Sequence, residues 1–208
     1  MREVNFFKKL LLMIFHPLDC FVMIKRERAK FRLLPIALLY ILTVVVNYIY
    51  IFIVHFPLSE KQSVDANFGL EIAMVAIPLF TWTVASYAIT AIINGESHFT
   101  ELLTANAYSL IPYIILTPVL GAVSNVLSYE QSGIYFFFKT LSLLWVLLLL
   151  FLALKYLNDY TLWETVGVAV LSIIAMVVVW AVVLLVASLT LQLFTFFADI
   201  YNEISYKF

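Results

Sequence analysis

Charge is scarce in this 208-residue sequence: aspartate, glutamate, lysine and arginine together make up 12% of it, while 64% is hydrophobic. Soluble domains carry about 25% charged and 45–50% apolar residues, and a chain of this size leaves a large fraction of its surface facing solvent. A water-soluble globule is excluded, so lipid must be the medium for most of the chain. The single cysteine, Cys20, rules out an internal disulfide framework. Three histidines, His16, His55 and His98, fall on different connections and cannot assemble one site. The sequence has no His-Glu-x-x-His pair, no Gly-x-Ser-x-Gly turn, no glycine-rich phosphate loop and no aspartate pair within an apolar run. Glu96, His98 and Glu101 share one short loop, which reads as a polar turn rather than a zinc site. No enzymatic activity, cofactor or metal is expected, and a formal net charge of −1 gives no reason to expect a nucleic-acid partner.

What is present is a series of long apolar runs with little or no charge. Ionised side chains at mid-bilayer cost several kcal/mol, so the charged residues mark the boundaries. They enclose Leu33–Phe56, Ile72–Asn94, Leu103–Leu127, Ile134–Leu157 (marred only by Lys139 near its start and Lys155 near its end, whose long side chains can snorkel to the interface) and Trp163–Phe197. Each reaches the roughly 20 residues a helix needs to cross about 30 Å of hydrocarbon. The expected fold is an all-α integral membrane protein with five transmembrane helices. Residues 1–32 would form a segment before the bundle, 33–198 the bundle itself and 199–208 a short tail. The fifth run is longer than one crossing requires and is expected to tilt or project at its C-terminal end. Its start carries the capping pattern Thr161-Leu162-Trp163-Glu164.

Lysine and arginine set the expected orientation. Arg2, Lys8, Lys9, Lys25, Arg26, Arg28, Lys30 and Arg32 place eight of the twelve basic residues before the first run. With the N-terminus cytoplasmic, Lys155 is also inside, and only Lys61, Lys139 and Lys207 fall outside. An odd number of crossings then puts the C-terminus outside. The apolar run Leu10–Phe15 is too short for a signal peptide and ends at His16-Pro17 without a small-residue cleavage pattern. Val4–Phe15 reads instead as an interfacial helix, with Phe6, Phe7, Leu10, Leu11 and Ile14 facing lipid. Of the basic residues that follow or flank it, Lys8, Lys9, Lys25, Arg26, Arg28, Lys30 and Arg32 are candidates for contact with anionic headgroups, at about 1 kcal/mol each.

Polar residues inside the runs are mild: Asn47, Thr83, Ser86, Thr90, Ser109, Asn125 and Ser172. Hydrogen bonding between helices accounts for such residues. The connection after the second run is more particular. Asn94-Gly95 reads as a helix stop, with glycine taking the left-handed conformation, Thr100 as the next cap and Glu101 in the first turn. In the third run Pro112 removes an amide and leaves the carbonyl of Tyr108 without its helical donor. Ser109 is the nearest group that could satisfy it.

The order Trp82, Asn94-Gly95-Glu96 and Tyr108-Ser109-Leu110-Ile111-Pro112-Tyr113 resembles the bacterial branch of the Yip (Ypt-interacting protein) membrane family. His16-Pro17 followed by Phe21 and Ile24-Lys25-Arg26-Glu27 agrees with it, as does the closing Phe197 with Ile200-Tyr201-Asn202-Glu203-Ile204. The resemblance covers nearly the whole chain. Two departures stand out: Gly95-Glu96 is followed by Ser97-His98 where the bacterial pattern often has Gly-Thr, and the Asp-Leu-x-Gly-Pro motif of eukaryotic members is absent. The resemblance implies a non-catalytic multispan protein. It also implies a bacterial plasma-membrane location and, as partner, a carbohydrate ABC-transport system.

Together these features lead to an accessory or scaffold protein that binds other membrane components. Asn94, Gly95, Glu96, Tyr108 and Pro112 are the candidate partner-binding residues, and the cytoplasmic face is the contact surface. The alternatives are a small permease or channel component for a neutral solute, and a bilayer-shaping or lipid-binding protein.

Overall fold

The computed structural model describes residues 6–26, 33–54 and 67–205, with side chains from Lys9 to Ile200. These residues form helices and no strand. Two short helices, α1 (Phe6–Phe15) and α2 (Pro17–Arg26), precede α3 (Leu33–Ile53) and α4 (Phe68–Ile92). The next crossing is made by two helices, α5 (Phe99–Ser109) and α6 (Ile111–Ser124). A 3-10 turn, Tyr129–Gln131, leads into α7 (Ser132–Asn158), and α8 (Leu162–Ser205) completes the chain. Among the described residues five helical stretches are long and apolar enough to span a membrane: Leu33–Ile53, Phe68–Ile92, Phe99–Ser124, Tyr129–Asn158 and Leu162–Ile200.

Local chemistry sets the helix ends. Asn67 starts α4 by accepting from the amides of Gly69 (3.0 Å) and Leu70 (3.4 Å). At α8 the amide of Thr161 donates to Glu164 Oε2 (2.8 Å) and the amide of Glu164 donates to Thr161 Oγ1 (3.4 Å), which is the reciprocal box expected there. The third crossing is broken rather than bent. Leu110 closes α5 with its amide on Ala107 O (3.2 Å), and Pro112 falls in the first turn of α6, where a missing amide costs little. The Ser109 hydroxyl donates to Ala105 O (2.8 Å), one turn back, and not to the Tyr108 carbonyl as expected.

One buried cluster joins Met13, Cys20, Phe21 and Ile24 to Leu39 of α3, Leu102 and Tyr108 of α5, Leu149 and Leu154 of α7 and Val168 of α8. The segment before the bundle is thus packed into it. Of the residues expected to face lipid, Leu11 and Ile14 are exposed, whereas Leu10 packs on the core; the side chains of Phe6 and Phe7 lie outside the described residues. An amphipathic helix offers the same apolar face to lipid and to protein, so its pattern alone does not choose between them. Helix α8 packs along α4 through its first turns, burying Thr165, Val168 and Ser172. Farther along, Val182 to Phe197 presents its large apolar side chains outward.

Candidate functional site

At one end of the bundle the last turn of α2 meets two connections. Lys25, at the end of α2, places Nζ 3.0 Å from Glu96 Oε2 in the α4–α5 turn and 2.5 Å from Asp159 Oδ2 in the α7–α8 turn. The carboxylates remain mostly exposed, at 59% and 68% of their side-chain surface, so the clamp is a charged surface feature rather than a buried ion pair. Burial pulls the Lys25 pKa down, but the hydrogen bonds to Asp159 and Glu96 outweigh it and hold the group above its ordinary 10.5.

Both turns depend on a non-glycine residue in the left-handed region. Asn94 has φ 56° and Asp159 has φ 53°; no described glycine has a positive φ. The left-handed stop expected at Gly95 is therefore made by Asn94, whose short polar side chain tolerates that conformation. Gly95 has a different task. A Cβ built on it would lie 2.6 Å from Asn158 Oδ1, 2.6 Å from the Tyr160 hydroxyl and 2.9 Å from Thr90 Cβ. The turn can approach the end of α7 because nothing projects there. That approach lets the amide of Ser97 donate to Asn158 Oδ1 (3.1 Å), while Asn158 Nδ2 donates to Leu154 O (3.0 Å).

His98, not Thr100, precedes the first turn of α5, and its amide donates to Glu101 Oε2 (3.2 Å). Glu101 is buried while Glu96 is exposed and engaged by Lys25, so the two carboxylates serve separate ends of the turn. Beside them, burial raises the Tyr160 pKa, with the Glu164 charge adding to it.

The candidate partner-binding residues divide. Asn94, Gly95 and Glu96 lie on this end surface, whereas Tyr108 and Pro112 are buried within the bundle, Tyr108 in the main core cluster. Among the candidate headgroup residues, Lys25 faces acidic side chains and Arg26 is exposed. Arg28, Lys30 and Arg32, and the side chain of Lys8, lie outside the described residues, and Lys9 is partly buried.

A second polar constellation was not foreseen from the sequence. Glu71 of α4 is 2% exposed and accepts from Asn47 Nδ2 of α3 (2.9 Å). The Tyr113 hydroxyl of α6 donates to Asn47 Oδ1 (3.1 Å). The hydroxyls of Tyr50 and Tyr135 share a hydrogen bond, and Lys139 Nζ sits 5.9 Å from the Tyr50 ring centroid. Glu71 had served only as the limit of an apolar run, and Lys139 only as a blemish near the start of another, yet each lies within a helix.

The Yip1 domain family model matches residues 11–197, most of the chain, and the chain belongs to that family. No curated protein and no solved structure matches it.

Proposed function

For this Yip1-family chain with five apolar helices, we propose a non-enzymatic role in the bacterial plasma membrane, exerted by binding other membrane components. The contact surface is the end where α2, the α4–α5 turn and the α7–α8 turn converge. The lysine and arginine distribution assigns that end to the cytoplasm. The observation that carries this reading is the Lys25 clamp on Glu96 and Asp159. It fixes the end of α2 and the two turns into one surface of mixed charge, and a surface ordered before contact loses less entropy on binding. A carbohydrate ABC-transport system is the proposed partner.

The test is affinity recovery of the tagged chain from native membranes in mild detergent, followed by identification of what accompanies it. Glu96→Ala is expected to lower recovery of the accompanying transporter without lowering the level of the protein itself. Unchanged recovery with Glu96→Ala and with Asp159→Ala together would remove this surface from consideration.

A further inference from the structure

The interior of the bundle carries polar groups that an accessory binding role does not use. Asn106 of α5 has no exposed surface; its Nδ2 donates to Thr83 Oγ1 of α4 (2.8 Å), but its Oδ1 has no partner among the described residues. Ser86, one turn along α4, and Ser109, one turn along α5, are also fully buried. In α7 Ser142 is 4% exposed and its hydroxyl lacks a partner among the described residues, as does the indole N–H of Trp82 in α4. Three helices, α4, α5 and α7, supply these groups from within the crossings.

Between them lies an apolar layer. Leu110, the residue at the α5–α6 break, packs with Val146 and Leu150 of α7, against Leu79, Trp82 and Ile114. Asn106 is one turn before Leu110 on α5, and Ser142 is one turn before Val146 on α7. These helices belong to successive crossings, so the two polar residues fall on opposite sides of the layer. Two turns beyond Ser142 on α7 is Tyr135, and with it the Asn47–Glu71–Tyr113 group.

We propose that these two polar stations, separated by the Leu110–Val146–Leu150 layer, form a closed passage for a small uncharged molecule that both donates and accepts hydrogen bonds. A buried acceptor such as Asn106 Oδ1 gains most from a donor brought to it, because leaving it unmade carries the full desolvation cost. A hydroxyl or amide can serve Asn106 and then Ser142 in turn. An uncharged solute suits this path better than an ion, since no Asp, Glu, His, Lys or Arg lies in the sequence between Glu71 and Glu96, between Glu101 and Glu130, or between Lys139 and Lys155. The break at Leu110 supplies the movable part: one residue, without continuous helical bonding across it, carries the leucine that closes the layer. Discontinuous helices inside membranes occur where backbone lines a path or is held by protein.

The test is solute entry into liposomes holding the purified full-length chain, followed by light scattering after an osmotic step, with glycerol, urea and choline as probes. Glycerol or urea is expected to enter several-fold faster than into protein-free vesicles, either in the wild type or once Leu110→Ala has thinned the layer. Asn106→Leu is expected to return that rate to baseline, with choline excluded throughout. Thr83→Val, which removes the donor's partner at almost constant shape, replaces Asn106→Leu if that variant does not fold. Entry equal to empty vesicles for both wild type and Leu110→Ala overturns the proposal. So does entry that Asn106→Leu and Thr83→Val leave unchanged, or choline entry alongside glycerol.

Discussion

Replacing Gly95 by alanine adds a single methyl group at the point where two turns touch. The new carbon would stand 2.6 Å from Asn158 Oδ1 and 2.9 Å from Thr90 Cβ, closer than carbon atoms approach either. The Tyr160 hydroxyl, also at 2.6 Å, ends a long side chain and can swing away. Thr90 Cβ cannot, because it is fixed to the α4 backbone. Asn158 can move only by giving up its hold on the buried Ser97 amide and on Leu154 O. Overpacking costs about 1–3 kcal/mol, and an orphaned buried amide a further 1–3 or so. Because the clash with Thr90 remains after Asn158 moves aside, the two costs add and the expected loss is about 2–6 kcal/mol. Gly167→Ala and Gly133→Ala provide the control, since a Cβ at either meets nothing within 4 Å. Alanine is favoured over glycine in helices by roughly 0.5–1 kcal/mol, so these changes should be neutral or stabilising. Reversible unfolding in mixed detergent micelles measures all three. If Gly95→Ala falls within about 0.5 kcal/mol of the wild type, the close approach of the two turns has been misjudged and the argument for a prearranged end surface fails with it.

Two further outcomes follow from the described contacts. Asn47→Leu takes a donor from the buried Glu71 carboxylate and an acceptor from the Tyr113 hydroxyl; a loss of about 1–3 kcal/mol is expected in the same unfolding assay, and no loss would mean that the three side chains are not mutually satisfied. Lys25 titrates above 10.5 in the folded chain, so its contribution is fully present below that value and disappears as pH rises through the raised one. Its partners are exposed, so the contribution is of order 1 kcal/mol at most. The melting-temperature difference between wild type and Lys25→Met should stay constant from pH 6 to about 10 and close above it; a difference that vanishes near neutrality would contradict the clamp.

The five apolar stretches could be read from the sequence because a bilayer enforces a length and penalises charge, and both leave a mark on linear sequence. Caps were partly legible for the same local reason. Thr161 and Glu164 are three residues apart and bond as their spacing predicts. At Asn94-Gly95 the residue pair was right and the roles were reversed, because the constraint on Gly95 comes from Asn158 and Tyr160 more than sixty residues away. The Pro112 break was visible in outline, while the Ser109 hydroxyl found a partner within its own helix. Charged residues were treated as edges, which hid Glu71, and only the fold brings Asn47 and Tyr113 to it. The packing of Met13, Phe21 and Ile24 into the core was equally out of reach, since a short apolar face fits lipid and protein alike.

Helix α8 has a consequence for the membrane around it. Its 44 residues extend about 66 Å, and the 39-residue apolar part, Leu162–Ile200, extends about 58 Å. Immersing that part in a 30 Å slab without bending requires a lean of about 60°, well past the 0–40° seen for single crossings. Its first half cannot lean so far because it lies against α4. The mismatch therefore falls on the second half and on the lipids beside it, which must stretch locally to cover it. A thicker bilayer reduces that distortion, so membrane thickness becomes a variable that sorts where this protein resides at least cost.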